Sequence, residues 1–458
     1  MTANRPPATA HNHVAHMFRA TVQRYGARPA TRVREGKSWR TTSYQQLDDR
    51  AMQIACALIH AGVDRGDRVV ICAHNSTEWV AADVALLAIG AATVPIDPSS
   101  PVDEIATKAA DCGAVLAFGG DAEESAKLFE ASRRVASLRR VISFTDSHQE
   151  SVAKLEHFAP SDQESAPEMV ARVDKRFVQA SPDDLFSVVY TSGVDGRAKG
   201  VMISHRAMTS QLDALDKAFH IVTDDSSVCV LSLANVFERA WSIYLWSHGC
   251  LNTLVTSASE QVDVVAAAKA NLLVAAPSFF ETITAEHTGA ASSAVKNLLA
   301  RIPLNIAHRV ALRSIRTAVG GRKKLLVSAG GKLSPDTQKL FAAAGVKILP
   351  GLGMAEALSL ISCNTPHAHR AGSVGKVLPG GQVRLGEDEE ILYSGPNVMD
   401  GYWQDPDATS KALIVEDGTT WLRTGDTGSI DADGYLFVTG RLQDIPVTGA
   451  RRVAPQPA

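Results

Sequence analysis

Short apolar segments alternate with segments of helical spacing along most of this chain. Asp67–Ala73 and Ala92–Ile96 have the length and the β-branched content of buried strands, and Ser76–Ile89 between them has helical spacing. Such alternation is typical of parallel sheets whose faces are covered by helices. The pattern therefore predicts an α/β protein with two helix-covered, mainly parallel sheets.

The pattern changes after Gly372 to short strands joined by tight turns, with Asp431–Gly434 as a clear hairpin turn. A small β-barrel-like subdomain is expected there. We divide the chain into a disordered leader (1–13), a first α/β subdomain (14–184), a second α/β subdomain (185–371) and the β subdomain (372–441). The first α/β subdomain ends in a polar linker (147–184).

Composition excludes several classes of protein. A net charge of −3 argues against a dedicated nucleic-acid binder, which needs a strong basic excess. The six cysteines are scattered without a C-x-x-C pair, as in a reduced, cytoplasmic protein. The most apolar stretch, Trp79–Ile96, contains Asp83, Gly90 and Pro95, so it is interpreted as a buried helix and strand rather than a membrane span.

A glycine-rich loop follows the apolar run Phe186–Tyr190. It contains three glycines, a hydroxyl pair and Lys199, and Ser204 is a candidate N-cap for the next helix. Glycines let backbone N–H groups converge on an anion, and lysine adds a positive charge, so the loop is suited to phosphate. It lacks the spacing of a Walker loop. The alternative is a hairpin turn with an exposed lysine.

The segment Tyr190–Gly200 resembles the T-S-G-T-T-G-x-P-K-G signature of the adenylate-forming acyl ligases. Val194 and Asp195 stand where that signature has hydroxyl residues, and Ala198 replaces its proline. The resemblance implies a catalytic role for Lys199 and nucleotide binding by the four matching residues Thr191, Ser192, Gly193 and Gly196.

The segment Leu231–Arg239 resembles the P-L-x-H-x-F-E-R segment of long-chain acyl-CoA synthetases, a branch of the same superfamily. Asn235 stands at the position of the histidine, so the resemblance implies that it lies beside the carboxylate pocket. Its alternative role is that of a helix-start residue, because asparagine caps helices well.

Two further turns resemble nucleotide-binding segments of the family. Gly330 and Gly331 lie in a segment similar to S-G-G-A-P-L-S, although by itself this is a common Gly-Gly turn. The segment from Gly351 to Glu356 is similar to G-Y-G-x-T-E, which implies nucleotide contacts for Gly351, Leu352 and Gly353 and a Mg²⁺ ligand at Glu356. Leu352 cannot stack on adenine as tyrosine does, and Ala355 lacks the hydroxyl of threonine.

Trp421–Asp426 resembles the Y-R-T-G-D motif, in which the aspartate accepts hydrogen bonds from both ribose hydroxyls. An ionised carboxylate is suited to that task because it has two acceptor oxygens. A plain turn is the alternative for Asp426. Gly440–Ile445 resembles G-R-x-K-D-x-I, which implies that Arg441 reaches the nucleotide and that Gln443 is a hinge.

Together these resemblances cover about residues 14 to 455 and imply a long-chain fatty acid–CoA ligase that uses ATP, Mg²⁺ and coenzyme A. The segment 442–458 is interpreted as a hinge and the stub of a missing C-terminal domain, so impaired activity is expected. Two alternatives stay open: a non-catalytic protein that binds acyl groups or nucleotide, and a ligase whose C-terminal domain is supplied separately.

A basic stretch runs through Arg301, Arg309, Arg313, Arg316 and the run Arg322–Lys324. A solvated face is one interpretation, and contact with anionic lipid or with CoA phosphates is the other. The sequence therefore favours a cytoplasmic protein and leaves peripheral membrane contact open. The sequence does not reveal the oligomeric state or the length of the acyl chain. Only Ala275–Glu281 indicates part of the wall of an acyl tunnel.

Overall fold

The computed structural model describes residues 12–145, 147–159, 167–192, 197–288, 312–321, 323–442, 447–448 and 451–452; for 192, 287–288 and the last two pairs it describes the backbone alone. Nearly all of the predicted leader lies outside these residues. So do the predicted nucleotide-binding glycines Gly193 and Gly196 and the predicted hinge, Gln443.

The first sheet, within the described residues, has eight strands. Its central strands are parallel, and the two strands that follow Leu185–Ser192 at one edge are antiparallel. In spatial order the strands are Gly401–Tyr402, Ala198–Ser204, Leu185–Ser192, Ala92–Ile96, Arg68–Cys72, Leu116–Gly119, Arg140–Ser143 and Ala153–Lys154.

The second sheet has nine strands in the described part of the chain, parallel at its centre and antiparallel at both edges. In spatial order they are Lys376–Val377, Ser359–Cys363, Leu349–Met354, Leu325–Ser328, Leu272–Ala275, Ser226–Cys229, Leu251–Leu254, Pro29–Glu35 and Ser38–Ser43.

A third, small sheet is antiparallel throughout. Its strands are Gln382–Leu385, Glu390–Ser394, Thr419–Ile430, Leu413–Glu416 and Leu436–Arg441, and a separate pair joins Val447–Thr448 to Arg451–Arg452. Ile430 pairs with Leu436 across the predicted hairpin turn, where Gly434 takes a φ of 81°. The predicted fold class is thus confirmed: two mainly parallel sheets with helices and a small β subdomain.

Helices cover the two large sheets and begin at capping side chains that the sequence supplies, such as Ser43, Ser76 and Ser204. They are Val14–Tyr25, Tyr44–His60, Thr77–Ile89, Val102–Asp111, Ala122–Ser132, Leu155–Phe158, Pro167–Val178, His205–Phe219, Val236–Trp246, Gln261–Ala268, Pro277–Thr288, 312–318, Pro335–Ala343 and Pro406–Ala412. No helix in the described residues has the length and apolarity needed to cross a membrane.

Sheet pairing does not follow the predicted division at residue 185. Strands Leu185–Ser192 and Ala198–Ser204 pair within the first sheet, and the early hairpin Pro29–Ser43 extends the second. The predicted linker also contains a 12-residue helix, Pro167–Val178, in which Val173 is the one buried residue. Local pattern could not show these features because they depend on pairing and packing with distant segments.

A buried ion pair joins the two large sheets. Arg239, on a helix that packs against the second sheet, donates from Nε and Nη2 to both carboxylate oxygens of Asp83, at 3.0 and 2.6 Å. Its Nη1 donates to Ser187 Oγ at 2.8 Å, and its guanidinium lies 4.1 Å from the Phe186 ring centroid. Arg239 of the Phe-Glu-Arg motif and Asp83 of the most apolar stretch therefore form one structural ion pair. The Arg239 side chain is 2% exposed and the Asp83 side chain 0%.

Candidate active site

A cavity of about 360 Å³ lies where the carboxyl ends of both large sheets meet. Pro95 and Thr191 line it from two strands of the first sheet. Gly330 follows a strand of the second sheet, and Gly353 lies near the end of another. Parallel sheets usually bind ligands at this edge. The cavity is thus the candidate active site.

Four residues predicted from separate motifs line this cavity together, namely Thr191, Asn235, Gly330 and Gly353. Ala355, at the position where the family motif has threonine, lines it too. Three other predicted nucleotide contacts lie within two residues of a lining residue without lining the cavity themselves, namely Gly331, Gly351 and Leu352.

Asn235 caps the helix Val236–Trp246. Its Oδ1 accepts a hydrogen bond from the backbone N–H of Phe237 at 2.9 Å, and the residue is exposed at the cavity wall. The structure thus confirms the helix-start role that the sequence allowed. A catalytic role for the same side chain stays a proposal.

Gly353 allows two backbone segments to approach closely beside the cavity. A Cβ atom at this position would lie 1.8 Å from the carbonyl oxygen of Ser359. Leu358 and Ser359 turn the chain here with φ of 50° and 111°, the second of which is strained for any residue with a side chain. Strained backbone of this kind concentrates at functional sites.

Gly353→Ala should lower the free energy of unfolding by at least about 2 kcal/mol, because the new methyl group meets backbone that cannot move aside easily. Chemical denaturation measures this. Gly331→Ala is the matched control, since its Cβ would meet only Pro277 at an ordinary 3.5 Å. Equal stability of the two variants would contradict the close approach.

Tyr402 connects the predicted magnesium ligand to the predicted catalytic lysine. Its hydroxyl donates to Glu356 Oε1 at 2.9 Å, and Lys199 Nζ lies 5.5 Å from the centroid of its ring. Glu356 is 8% exposed, and Lys199 makes no ion pair with another described side chain. No sequence motif pointed to Tyr402; the signal available for it was the aromatic pair Tyr402-Trp403 in a polar segment.

The role that the resemblance implies for Glu356, as a Mg²⁺ ligand in ATP binding, predicts that Tyr402→Phe raises the KM for Mg·ATP about tenfold. Glu356 would lose the hydrogen bond that orients it, while the ring near Lys199 remains. Steady-state kinetics measures this. Tyr435→Phe, on the small β subdomain, should leave the KM unchanged. A Tyr402→Phe variant with wild-type KM would show that the hydrogen bond does not support ATP binding.

Asp426 and Arg441 form an ion pair on neighbouring strands of the small sheet. Arg441 Nε lies 2.8 Å from Asp426 Oδ1, and the two residues pair directly across the strands. Burial raises the pKa of Asp426, and the positive charge of Arg441 opposes that rise. Neither residue is among the described residues that line the cavity, so the ion pair is separate from the cavity wall.

Asn75 and Glu238 hold the loop that carries Asn235. Asn75 follows a strand of the first sheet; its Nδ2 donates to the Leu231 carbonyl and its Oδ1 accepts from Leu233 N, both at 2.8 Å. Glu238 Oε2 accepts from Leu231 N at 3.2 Å. Neither residue was predicted from the sequence to have a role, although Glu238 lies in the Phe-Glu-Arg motif.

Glu238 should make the protein less stable as the pH rises from about 5 to 8. Complete burial raises its pKa to about 8, whereas a free glutamate titrates near about 4.3. Between these values the folded state binds more protons than the unfolded state, so the free energy of unfolding falls with pH. Glu238→Gln should remove most of this loss. Urea unfolding of both proteins at pH 5 and pH 8 measures the difference, and parallel profiles would contradict it.

Three described members of the basic stretch contact the protein itself, and a fourth, Arg313, is exposed. Arg316 Nε donates to the Ala344 carbonyl at 3.1 Å, Lys323 Nζ donates to the Ala270 carbonyl, and Lys324 Nζ lies 2.5 Å from Asp225 Oδ2. Burial lowers the pKa of Lys323 to about 8. Arg301, Arg309 and Arg322 lie outside the described residues. Contact of this stretch with lipid or CoA therefore stays a prediction.

Glu356 follows the lining residue Ala355 in sequence without lining the cavity itself, and its carboxylate is suited to a magnesium ion. Magnesium is usually bound by one or two carboxylates together with substrate phosphates and water, so it does not need a cluster of protein ligands. Glu356 can supply one such carboxylate. No group of three or more histidine, cysteine or acidic side chains suited to a metal occurs in the described part of the chain.

Two mainly parallel sheets with a cavity at the carboxyl ends of their strands define an α/β domain of the kind that binds small molecules at this edge. The family model named AMP-binding enzyme matches residues 18–403, and the chain belongs to that family.

The chain is similar to several individual CoA ligases. It is 29% identical over 444 residues to the long-chain-fatty-acid–CoA ligase FadD15 of Mycobacterium bovis, covering 91% of this chain and 72% of the ligase. A 3-[(3aS,4S,7aS)-7a-methyl-1,5-dioxo-octahydro-1H-inden-4-yl]propanoyl:CoA ligase of Rhodococcus jostii is 28% identical, over 90% of this chain and 77% of that protein. The fold matches the anthranilate CoA ligase AuaEII, in complex with anthranoyl-AMP, with a TM-score of 0.78 at 22% identity, over 97% of this chain and 80% of that chain.

Proposed function

We propose that this protein activates a long-chain fatty acid with ATP and transfers the acyl group to coenzyme A. The observation that carries this proposal is the convergence of Thr191, Gly330 and Gly353 in one cavity at the carboxyl ends of two sheets. Membership of the AMP-binding enzyme family and the similarity to long-chain-fatty-acid–CoA ligases support it.

The reaction has two displacements. In the first, a fatty acid carboxylate oxygen attacks the α-phosphate of ATP, and pyrophosphate leaves. In the second, the thiol of CoA attacks the acyl carbon of the acyl-adenylate, and AMP leaves. Proteins assist such transfers mainly by positioning the reactants and by stabilising negative charge.

The residues of the site are suited to the first displacement. The Thr191 hydroxyl lines the cavity and can donate to a phosphate oxygen there. Lys199 is not among the described lining residues, and its ammonium is proposed to neutralise charge that develops on the phosphate. Bound at Glu356, Mg²⁺ would stabilise the polyphosphate charge. Asp426 is proposed to accept from the ribose hydroxyls and Arg441 to contact the nucleotide, with Gln443 as a hinge.

A non-catalytic acyl or nucleotide binder is the second candidate function. It is favoured by Ala355, which lines the cavity where a hydroxyl donor would face the α-phosphate. Loss of one such donor can lower a rate by about 10²–10³. A protein of this kind would bind ATP and fatty acid without forming an adenylate.

Fatty-acid-dependent exchange of pyrophosphate into ATP tests the first displacement. The exchange is measured without CoA over a panel of short to long fatty acids, with Mg²⁺ present and then removed by chelation. The proposal predicts exchange that requires Mg²⁺ and is fastest for long chains. Exchange that is absent for every chain length, in a protein that still binds ATP, would favour the non-catalytic candidate.

A further inference from the structure

A second large cavity, of about 590 Å³, lies at the opposite edge of the second sheet from the candidate active site. Lys324 and Leu325 line it at the amino end of the strand Leu325–Ser328, whose other end leads to Gly330 in the active-site cavity. Cys363 lines it at one end of the strand Ser359–Cys363, and Ser359 lines the active-site cavity at the other. The two cavities are therefore separated by the length of the strands.

The floor of this second cavity is apolar. Phe219, Leu325, Cys363 and Leu378 are buried side chains that line it, and Ala368 lines it from the turn that follows the strand Ser359–Cys363. Its volume lies in the range of about 300–1,000 Å³ that is typical of small-molecule sites. Such a floor favours an apolar chain or ring over a hydrated ion.

The rim of the second cavity is cationic. Lys217, Lys324 and Lys376 all line it and all are exposed, whereas none of its described lining residues is acidic. Lys324 is partly neutralised by Asp225, at 2.5 Å. Lys217 forms no ion pair with a described side chain, and Lys376 Nζ lies 4.9 Å from the Tyr435 ring centroid. At least two ammonium groups are thus available to an anion.

We propose that the second cavity binds an anionic amphiphile, with its alkyl chain on the apolar floor and its carboxylate or phosphate group between Lys217 and Lys376. Charge complementarity supports this ligand class, since the rim carries positive charge without a lining carboxylate to oppose it. The site does not depend on the proposed ligase activity, because its lining residues differ from those of the active-site cavity.

Isothermal titration with dodecyl phosphate, below its critical micelle concentration, tests the proposal. The double variant Lys217→Gln/Lys376→Gln should weaken binding about tenfold or more, because two charge-assisted contacts are lost. Ala368→Trp, which fills the cavity without changing charge, should weaken it similarly. Circular dichroism establishes that each variant is folded. Laurate in place of dodecyl phosphate distinguishes a carboxylate ligand from a phosphate ligand.

The matched control is Lys37→Gln/Lys339→Gln, which removes two exposed lysines that do not line the cavity and should bind as the wild type does. Inorganic phosphate and dodecyltrimethylammonium should bind at least about tenfold more weakly than dodecyl phosphate. Equal weakening in both double variants, equal binding of the cationic amphiphile, or no binding to the wild type would each overturn the proposal. Because no ATP is present, none of these outcomes depends on ligase turnover.

Discussion

Asp426→Ala should lower the kcat/KM for ATP in pyrophosphate exchange by about 10²-fold to 10⁴-fold. Hydrogen bonds to a charged group contribute about 1.5–3 kcal/mol each, and this carboxylate is proposed to accept two from the ribose. The rates are measured at several ATP concentrations below saturation. The fatty acid KM should change little, because the proposed contact is with the nucleotide alone.

Asp433→Ala is the matched control for this prediction. Asp433 lies in the same hairpin region, is exposed, and pairs with Arg370 on the surface. Its loss should leave the exchange rate near that of the wild type. If both variants have the same rate, then Asp426 does not bind ribose, and the role implied by the Y-R-T-G-D resemblance is wrong.

Arg239→Met should lower the free energy of unfolding by about 3–5 kcal/mol, the largest stability effect that we expect. The change leaves the carboxylate of Asp83 fully buried without its positive partner. The hydroxyl oxygen of Ser187 also loses the hydrogen bond that it accepts from Arg239. Chemical denaturation followed by far-ultraviolet circular dichroism measures the loss.

The double variant Arg239→Met/Asp83→Asn separates this explanation from simple disruption of packing. Removing the second charge should recover most of the lost stability, since asparagine can still accept from Thr93. Arg206→Met, which breaks an exposed pair with Asp183, should change stability little. If the double variant is no more stable than Arg239→Met, then uncompensated charge is not the cause.

The sequence predicted the fold class because the alternation of strands and helices is a local pattern. Asp67–Ala73 contains the observed strand Arg68–Cys72, and Ala92–Ile96 is observed with the predicted bounds. Strand order depends instead on contacts between distant segments. The placement of Pro29–Ser43 in the second sheet therefore could not be read from spacing.

The residues of the candidate site that lie in glycine-rich turns could be predicted from the sequence. Thr191, Gly330 and Gly353 share a cavity because each lies at the carboxyl end of a strand of a mainly parallel sheet. Tyr402 and Asn75 were missed because a single hydrogen-bonding side chain leaves no periodic signal. The separation of Asp426 from the cavity wall is likewise a tertiary feature.

Direct detection of the acyl-adenylate tests the central proposal most directly. The protein, in excess over radiolabelled fatty acid, is mixed with ATP and Mg²⁺ without CoA, quenched after single-turnover times, and analysed for acyl-AMP. We predict acyl-AMP that requires both ATP and Mg²⁺ and disappears when CoA is added, as acyl-CoA forms. A protein that binds ATP and fatty acid yet yields no acyl-AMP would contradict the proposed activity.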